Sequence, residues 1–212
     1  MSGDWRTVEC PPGVTRRVLL LRHGETDASA RGRCYGKLEV PLSERGRAQI
    51  ELAARLLHSL RPEVIVSSPR MRAVESAQIV ASVCKLPVET EPDFAELDFG
   101  DFEGLRYQDI ERDQPEIYAR WMASPTAVTF PNGESYAAMT ERVTAAYGRR
   151  VQSAVSKKLV LVAHGGVNRI ILAHVLGIVP ARLFRLEQSY AGISCIDYYD
   201  ATPVLRVMNA LA

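Results

Sequence analysis

Three short apolar runs, at residues 18–21, 64–66 and 159–163, each give way to small and polar residues at their C-terminal end. They alternate with segments whose apolar residues recur at helical spacing, and that alternation demands an α/β fold built on a largely parallel sheet. Ser43 stands as an N-cap before one such segment, whose apolar stripe is Ile50, Ala53, Leu57 and Leu60. A second helix is expected from about Pro69, a good first-turn residue. A third should follow Asn132-Gly133 and carry Met139, Val143, Ala146 and Tyr147 on one face, and a fourth should span 167–176. Between 86 and 120 the chain is punctuated by Pro87, Pro92, Gly100, Gly104 and Pro115 and shows no steady period. Runs at 193–198 and 204–207, split by Thr202-Pro203, read as a terminal antiparallel pair or two edge strands. The expected architecture is a three-layer α/β/α sandwich with a mostly parallel central sheet.

No repeat, low-complexity run or linker divides the 212 residues, so one catalytic domain is expected over 15–212. Pro11, Pro12 and Gly13 mark 1–14 as a loose N-terminal tail. Lys and Arg total 26 against 25 for Asp and Glu. A net charge of +1 gives no general attraction to nucleic acid or to an acidic membrane, so any anion must be held by a local cluster. No apolar run is long enough for a signal peptide or a membrane span, which makes the cytoplasm the expected compartment. Cys10, Cys34, Cys84 and Cys195 form no CxxC pair and read as reduced thiols rather than a disulfide framework or a zinc site.

The polar residues beyond the apolar runs are of one kind. The first run leads into Arg22-His23-Gly24-Glu25-Thr26, the second into Ser67-Ser68-Pro69 with Arg72 a turn later, the third into His164-Gly165-Gly166. In open α/β sheets ligands bind beyond the carboxyl ends of the strands, so these residues should meet in one pocket. Two guanidiniums suit a bidentate grip on phosphoryl oxygens. A histidine among them is a nucleophile towards phosphorus, and a second can stabilise charge on the equatorial oxygens when protonated. Glycines after each histidine would bring backbone N–H groups close to an anion. A carboxyl group must then serve the leaving oxygen. Glu96 leads, with Asp98 and Glu103 as rivals. A metal held by two histidines and a carboxylate is disfavoured, because the neighbouring arginines would repel a cation. His58 and His174 fall inside helical segments and read as structural, and Arg70 as a surface charge.

These segments, in this order, resemble the histidine phosphatase superfamily with its phosphoglycerate mutase-like fold, over nearly the whole chain. The resemblance implies that His23 is phosphorylated, that Arg22, Arg72 and His164 hold the phosphoryl group, that Glu96 is the acid, and that neither metal nor organic cofactor is needed. It adds Gly165, Ser29, Tyr35 and Gly36 as substrate or phosphate contacts. Ser29 stands where the family often has Asn. The expected partner is a small-molecule phosphomonoester, and a homo-oligomer is compatible with the sequence.

Hydrolysis is the leading reaction. A phosphoglycerate mutase would share the pocket, but Glu96 and His164 are only 68 positions apart, compact beside the capping insert of mutases. Gly166 occupies the place where mutases typically carry Asn, and is expected to leave room for water beside the phosphohistidine. A phosphate-reading module without turnover is the rival of another class, and the intact set of five polar residues speaks against it. The loop Gly32-Arg33-Cys34-Tyr35-Gly36, with Val40-Pro41-Leu42-Ser43, resembles the α-ribazole phosphatase branch, which points to α-ribazole 5′-phosphate.

Overall fold

The computed structural model describes residues 4–152 and 157–212; residues 1–3 of the expected tail and 153–156 lie outside it. In chain order the elements are β1 (Arg16–Arg22), α1 (Glu44–Ser59), β2 (Val64–Ser67), α2 (Met71–Cys84), β3 (Val88–Thr90) and α3 (Tyr107–Asp113). They continue with α4 (Pro115–Ala123), α5 (Tyr136–Gln152), β4 (Lys158–Ala163), α6 (Gly165–Leu176), β5 (Ile193–Tyr199) and β6 (Thr202–Ala210). The six strands make one sheet in the order β3-β2-β4-β1-β5-β6. β3, β2, β4 and β1 run parallel, β5 is antiparallel to β1, and β6 returns beside β5. The mostly parallel sheet is therefore finished by the antiparallel terminal pair that the sequence offered as one alternative.

Strand alternation sorts the core into two layers. Val18 and Leu20 of β1 face the cluster that contains Met139 and Val143 of α5 and Ile170 and Ile171 of α6. Leu19 and Leu21 face the opposite cluster, with Ile50 and Leu57 of α1 and Ala77 and Val80 of α2. All four β1 side chains are fully buried, and each is worth about 1.5–3 kcal/mol by area removed from water. The Ser43 side chain accepts the Gly46 N–H and caps α1, whose expected stripe is wholly buried.

Two expectations need correction. The helix expected from Pro69 starts at Met71, because the chain stays extended further: Ser68 N–H still pairs with Val162 O at 3.0 Å, and Arg70 keeps ψ at 137°. The stretch 86–120 contains β3 and two short helices that its proline and glycine spacing hid. Ile110 of α3 and Trp121 of α4 hold them against the core. Among the described residues no helix is long and apolar enough to cross a membrane.

Arg17 and Asp197 face each other across β1 and β5 and are both buried, at 1% and 0% exposure. Arg17 Nε and Nη2 donate to the two carboxylate oxygens at 2.7 and 2.9 Å, a bidentate pair that keeps the guanidinium firmly protonated. Its Nη1 donates to Trp5 O and Thr7 O, and Trp5 packs into the α1 side of the core. The described residues before β1 thus lack regular structure but are tied to the sheet through Trp5 and Thr7. Asp197→Ala would strand a buried cation and is expected to cost about 3–5 kcal/mol in urea unfolding. A loss below about 1 kcal/mol would show that Arg17 finds other compensation.

Candidate active site

The carboxyl ends of β1, β2 and β4 form the floor of a cleft of about 150 Å³ lined by Arg22, His23, Arg72, Glu96, Gly165 and Gly166, among others. Sheet order explains the convergence: β1 and β4 are neighbours and β2 lies next. The backbone beyond β1 stays in register, with His23 N–H on Ala163 O at 3.0 Å.

His23 is 2% exposed, and its Nδ1 lies 2.8 Å from Gly24 O. A carbonyl can only accept, so Nδ1 carries the ring proton and Nε2 keeps its lone pair. Burial, then the nearby Arg22 and Arg72, push the His23 pKa well below the ordinary histidine value. The imidazole is therefore neutral at physiological pH, the form a nucleophile needs. His164 is fully buried, with its ring centroid 5.2 Å from that of His23. Its Nε2 sits 2.7 Å from Ser68 Oγ, while Nδ1 has no partner among the described residues. Burial, Arg72 and His23 hold His164 well below the usual range too. Its free ring is therefore neutral at physiological pH, and it would have to take up a proton with the phosphoryl anion to stabilise charge as expected.

The two arginines are braced from behind. Arg72 gives Nη1 to Leu38 O and Nη2 to Tyr35 O and Gly36 O, and Arg22 gives Nη1 to Gln188 O at 2.5 Å. The Nε of each is buried without a partner among the described residues. Unpaired buried donors are costly, about 1–3 kcal/mol each, and such donors around a buried, neutral histidine are what an oxyanion would satisfy.

Glu96 stands apart from its rivals. Its carboxylate faces the cleft and accepts Leu97 N–H and Gly166 N–H, both at 3.0 Å. Glu103 is consumed by the backbone N–H groups of Gly36, Lys37, Leu38 and Phe99. Asp98 pairs with Lys37 and Gly100 N–H. Neither lines the cleft.

Several placements differ from expectation. Ser29 is exposed on a short turn capped by Asp27, away from the cleft; its carbonyl accepts Arg33 Nε instead. Gly36 lies behind Arg72, and Tyr35 lines the cleft. Gly24 does not offer its N–H to the cleft but to Ser76 Oγ, and a Cβ there would stand 2.4 Å from Gly46 O of α1. The side of Gly166 expected to be open is filled: a Cβ would meet Glu96 Oε1 at 2.3 Å. Arg70 pairs with Glu39 and does not line the cleft.

Arg169, Tyr107 and Tyr136 also line the cleft and were not singled out, and Arg33, named only as part of its loop, lines it too. Arg169 follows Gly165 by one helical turn and was legible from that spacing. Among the described residues no three His, Cys, Asp or Glu side chains gather where they could hold a metal ion. A larger hollow of about 410 Å³ between α5 and α6 shares only Tyr136 with the cleft and is lined by no arginine.

The pattern that defines the histidine phosphatase superfamily (branch 1) matches residues 18–211. An adenosylcobalamin/alpha-ribazole phosphatase of Escherichia coli is 30% identical over 196 residues, covering 92% of this chain and 97% of that protein. The alpha-ribazole phosphatase of Shigella flexneri superposes with a TM-score of 0.84 at 29% identity, over 92% and 96% of the two chains. A mycobacterial glucosyl-3-phosphoglycerate phosphatase gives a TM-score of 0.82 at 29% identity, over 92% and 99%.

Proposed function

Since this chain belongs to the histidine phosphatase superfamily, branch 1, we propose that it hydrolyses a small phosphomonoester through a phosphohistidine on His23. The observation that carries the reading is the neutral, buried His23 ring, whose Nδ1–H is spent on Gly24 O beside two braced arginines. His23 Nε2 attacks phosphorus as the bond to the leaving oxygen breaks, and Glu96 gives that oxygen a proton. The Glu96 carboxylate then takes a proton from water, whose oxygen attacks the phosphohistidine. Inorganic phosphate and free His23 result. Arg22, Arg72 and His164 bind the transferring oxygens, which supplies without a metal ion the positive field that metal phosphatases draw from theirs.

The catalytic unit is the single domain over 15–212, and its four free cysteines fit the reducing cytoplasm. Likeness to the two alpha-ribazole phosphatases, together with the loop carrying Arg33 and Tyr35, supports α-ribazole 5′-phosphate as substrate. Hydrolysis rather than phosphoryl return is favoured by the compact stretch between Glu96 and His164.

One phosphorus NMR time course in excess chelator tests the reading, with α-ribazole 5′-phosphate, a glucosyl phosphoglycerate and 3-phosphoglycerate in separate arms. Free phosphate should appear in step with ester loss, fastest in the first arm, and 3-phosphoglycerate should give at most a trace of the 2-isomer. Rapid isomer exchange with little free phosphate would make the protein a mutase. Activity that chelation removes and Mg²⁺ or Zn²⁺ restores would overturn the metal-free mechanism.

A further inference from the structure

Two tyrosines far apart in sequence meet above the cleft. The Tyr35 and Tyr190 hydroxyl oxygens are 2.9 Å apart, and Thr26 Oγ1 donates to Tyr35 at 3.3 Å. Each ring lies over one of the two cleft arginines. The Arg22 guanidinium carbon is 4.1 Å from the Tyr190 centroid, and that of Arg72 is 5.1 Å from the Tyr35 centroid. The Tyr190 ring is also 5.6 Å from that of His23. Burial and the neighbouring Tyr190 push the Tyr35 pKa up, so its hydroxyl stays protonated and able to bond.

A guanidinium tied by its Nη atoms can still pivot about those bonds, which would swing its Nε–H away from a phosphoryl oxygen. An aromatic face in contact with the guanidinium plane removes that freedom. Arg22 needs this most, because among the described residues its guanidinium is held by a bond from Nη1 to Gln188 O, against three for Arg72.

We infer that Tyr35 and Tyr190 act as one positioning clamp, which locks the planes of Arg72 and Arg22 together so that both Nε–H groups meet the phosphoryl group in a fixed orientation. Neither tyrosine takes part in bond making. The inference rests on the phosphoryl site proposed above and deepens it: the clamp acts on oxyanion affinity and is blind to the leaving group.

The test is orthovanadate affinity by calorimetry, with kcat/KM on p-nitrophenyl phosphate and on an alkyl phosphate, for Tyr35→Phe, Tyr190→Phe, the double variant and Tyr190→Ala. Each single Phe variant should weaken vanadate binding by about 2- to 12-fold, the worth of one neutral hydrogen bond. The double variant should lose no more than Tyr35→Phe alone, because the two substitutions share the tyrosine–tyrosine bond and the Thr26 bond is lost with Tyr35 in either case. Tyr190→Ala should lose about 10-fold or more, since the ring contact with Arg22 goes too. kcat/KM should fall by the same factor on both esters.

Multiplicative losses in the double variant would overturn the clamp, as would a vanadate affinity for Tyr190→Ala within 2-fold of wild type. A kcat/KM loss confined to one ester would overturn it as well, by assigning Tyr190 to the leaving group. Should Tyr190→Ala fail to fold, the Phe variants decide alone. A wild-type protein that binds no vanadate would remove the phosphoryl site itself, whereas a wild type that binds it beside unaffected variants removes only the clamp.

Discussion

Replacing His23 by alanine is expected to lower kcat by at least about 10⁴-fold, the scale on which loss of a nucleophile leaves only positioning and electrostatics. The fold should survive. His23 makes its side-chain bond to its neighbour's carbonyl, and alanine removes a desolvated imidazole rather than a packed apolar anchor. A buried ring that resists protonation costs stability as the pH falls below its unfolded-state value of about 6.5, since the unfolded chain then binds a proton the native chain refuses. The variant should therefore lose less stability than wild type between pH 7 and 5, while His164 keeps its own share of the effect. Brief exposure of wild type to labelled substrate should give an acid-labile, alkali-stable phosphoprotein that the variant does not form. A labelled His23→Ala protein, or one retaining a tenth of wild-type turnover, would remove His23 from the reaction.

What the sequence made legible follows from the range over which each signal acts. β1, β2 and β4 announced themselves because buried parallel strands are continuous apolar runs. Their polar ends then told where Arg22, His23 and His164 would meet. α3 and α4 were hidden, being seven and nine residues long. Helices that short owe their stability to Ile110 and Trp121 reaching the core, which propensity does not register. Glu96 led Asp98 and Glu103 mainly through the resemblance, because pattern alone separates them poorly, for a similar reason. All three lie on irregular backbone, where side-chain direction is set by bonds such as those of Glu103 to four N–H groups. Ser29 misled because a matching position says nothing of a one-turn cap that faces it outward. Tyr190 carried no signal at all, since its meeting with Tyr35 spans 155 positions.

Glu96→Gln should lose about 10²- to 10⁴-fold in kcat/KM on an alkyl phosphate and far less on p-nitrophenyl phosphate. The reason is the leaving oxygen: an alkoxide needs a proton as it departs, and p-nitrophenolate does not. kcat/KM is the right quantity because it reports only steps up to transfer onto His23. The water-activating role should show separately. On p-nitrophenyl phosphate the variant should release about one equivalent of nitrophenolate in a burst and then slow, as phosphohistidine waits for a base. Both Glu96 oxygens accept backbone N–H groups, from Leu97 and Gly166. A glutamine must turn its NH₂ towards one of these donors, so some shift of the Leu97 and Gly166 backbone is built into the substitution, but a disturbed backbone would penalise both esters alike. Gly166→Ala provides the converse. Its new Cβ would crowd Glu96 Oε1 at 2.3 Å, and the variant should reproduce the leaving-group dependence with the carboxylate still present. Equal losses on the two esters in Glu96→Gln, with no burst, would leave Glu96 a structural acceptor for the Leu97 and Gly166 N–H groups and send the search for the acid elsewhere in the cleft.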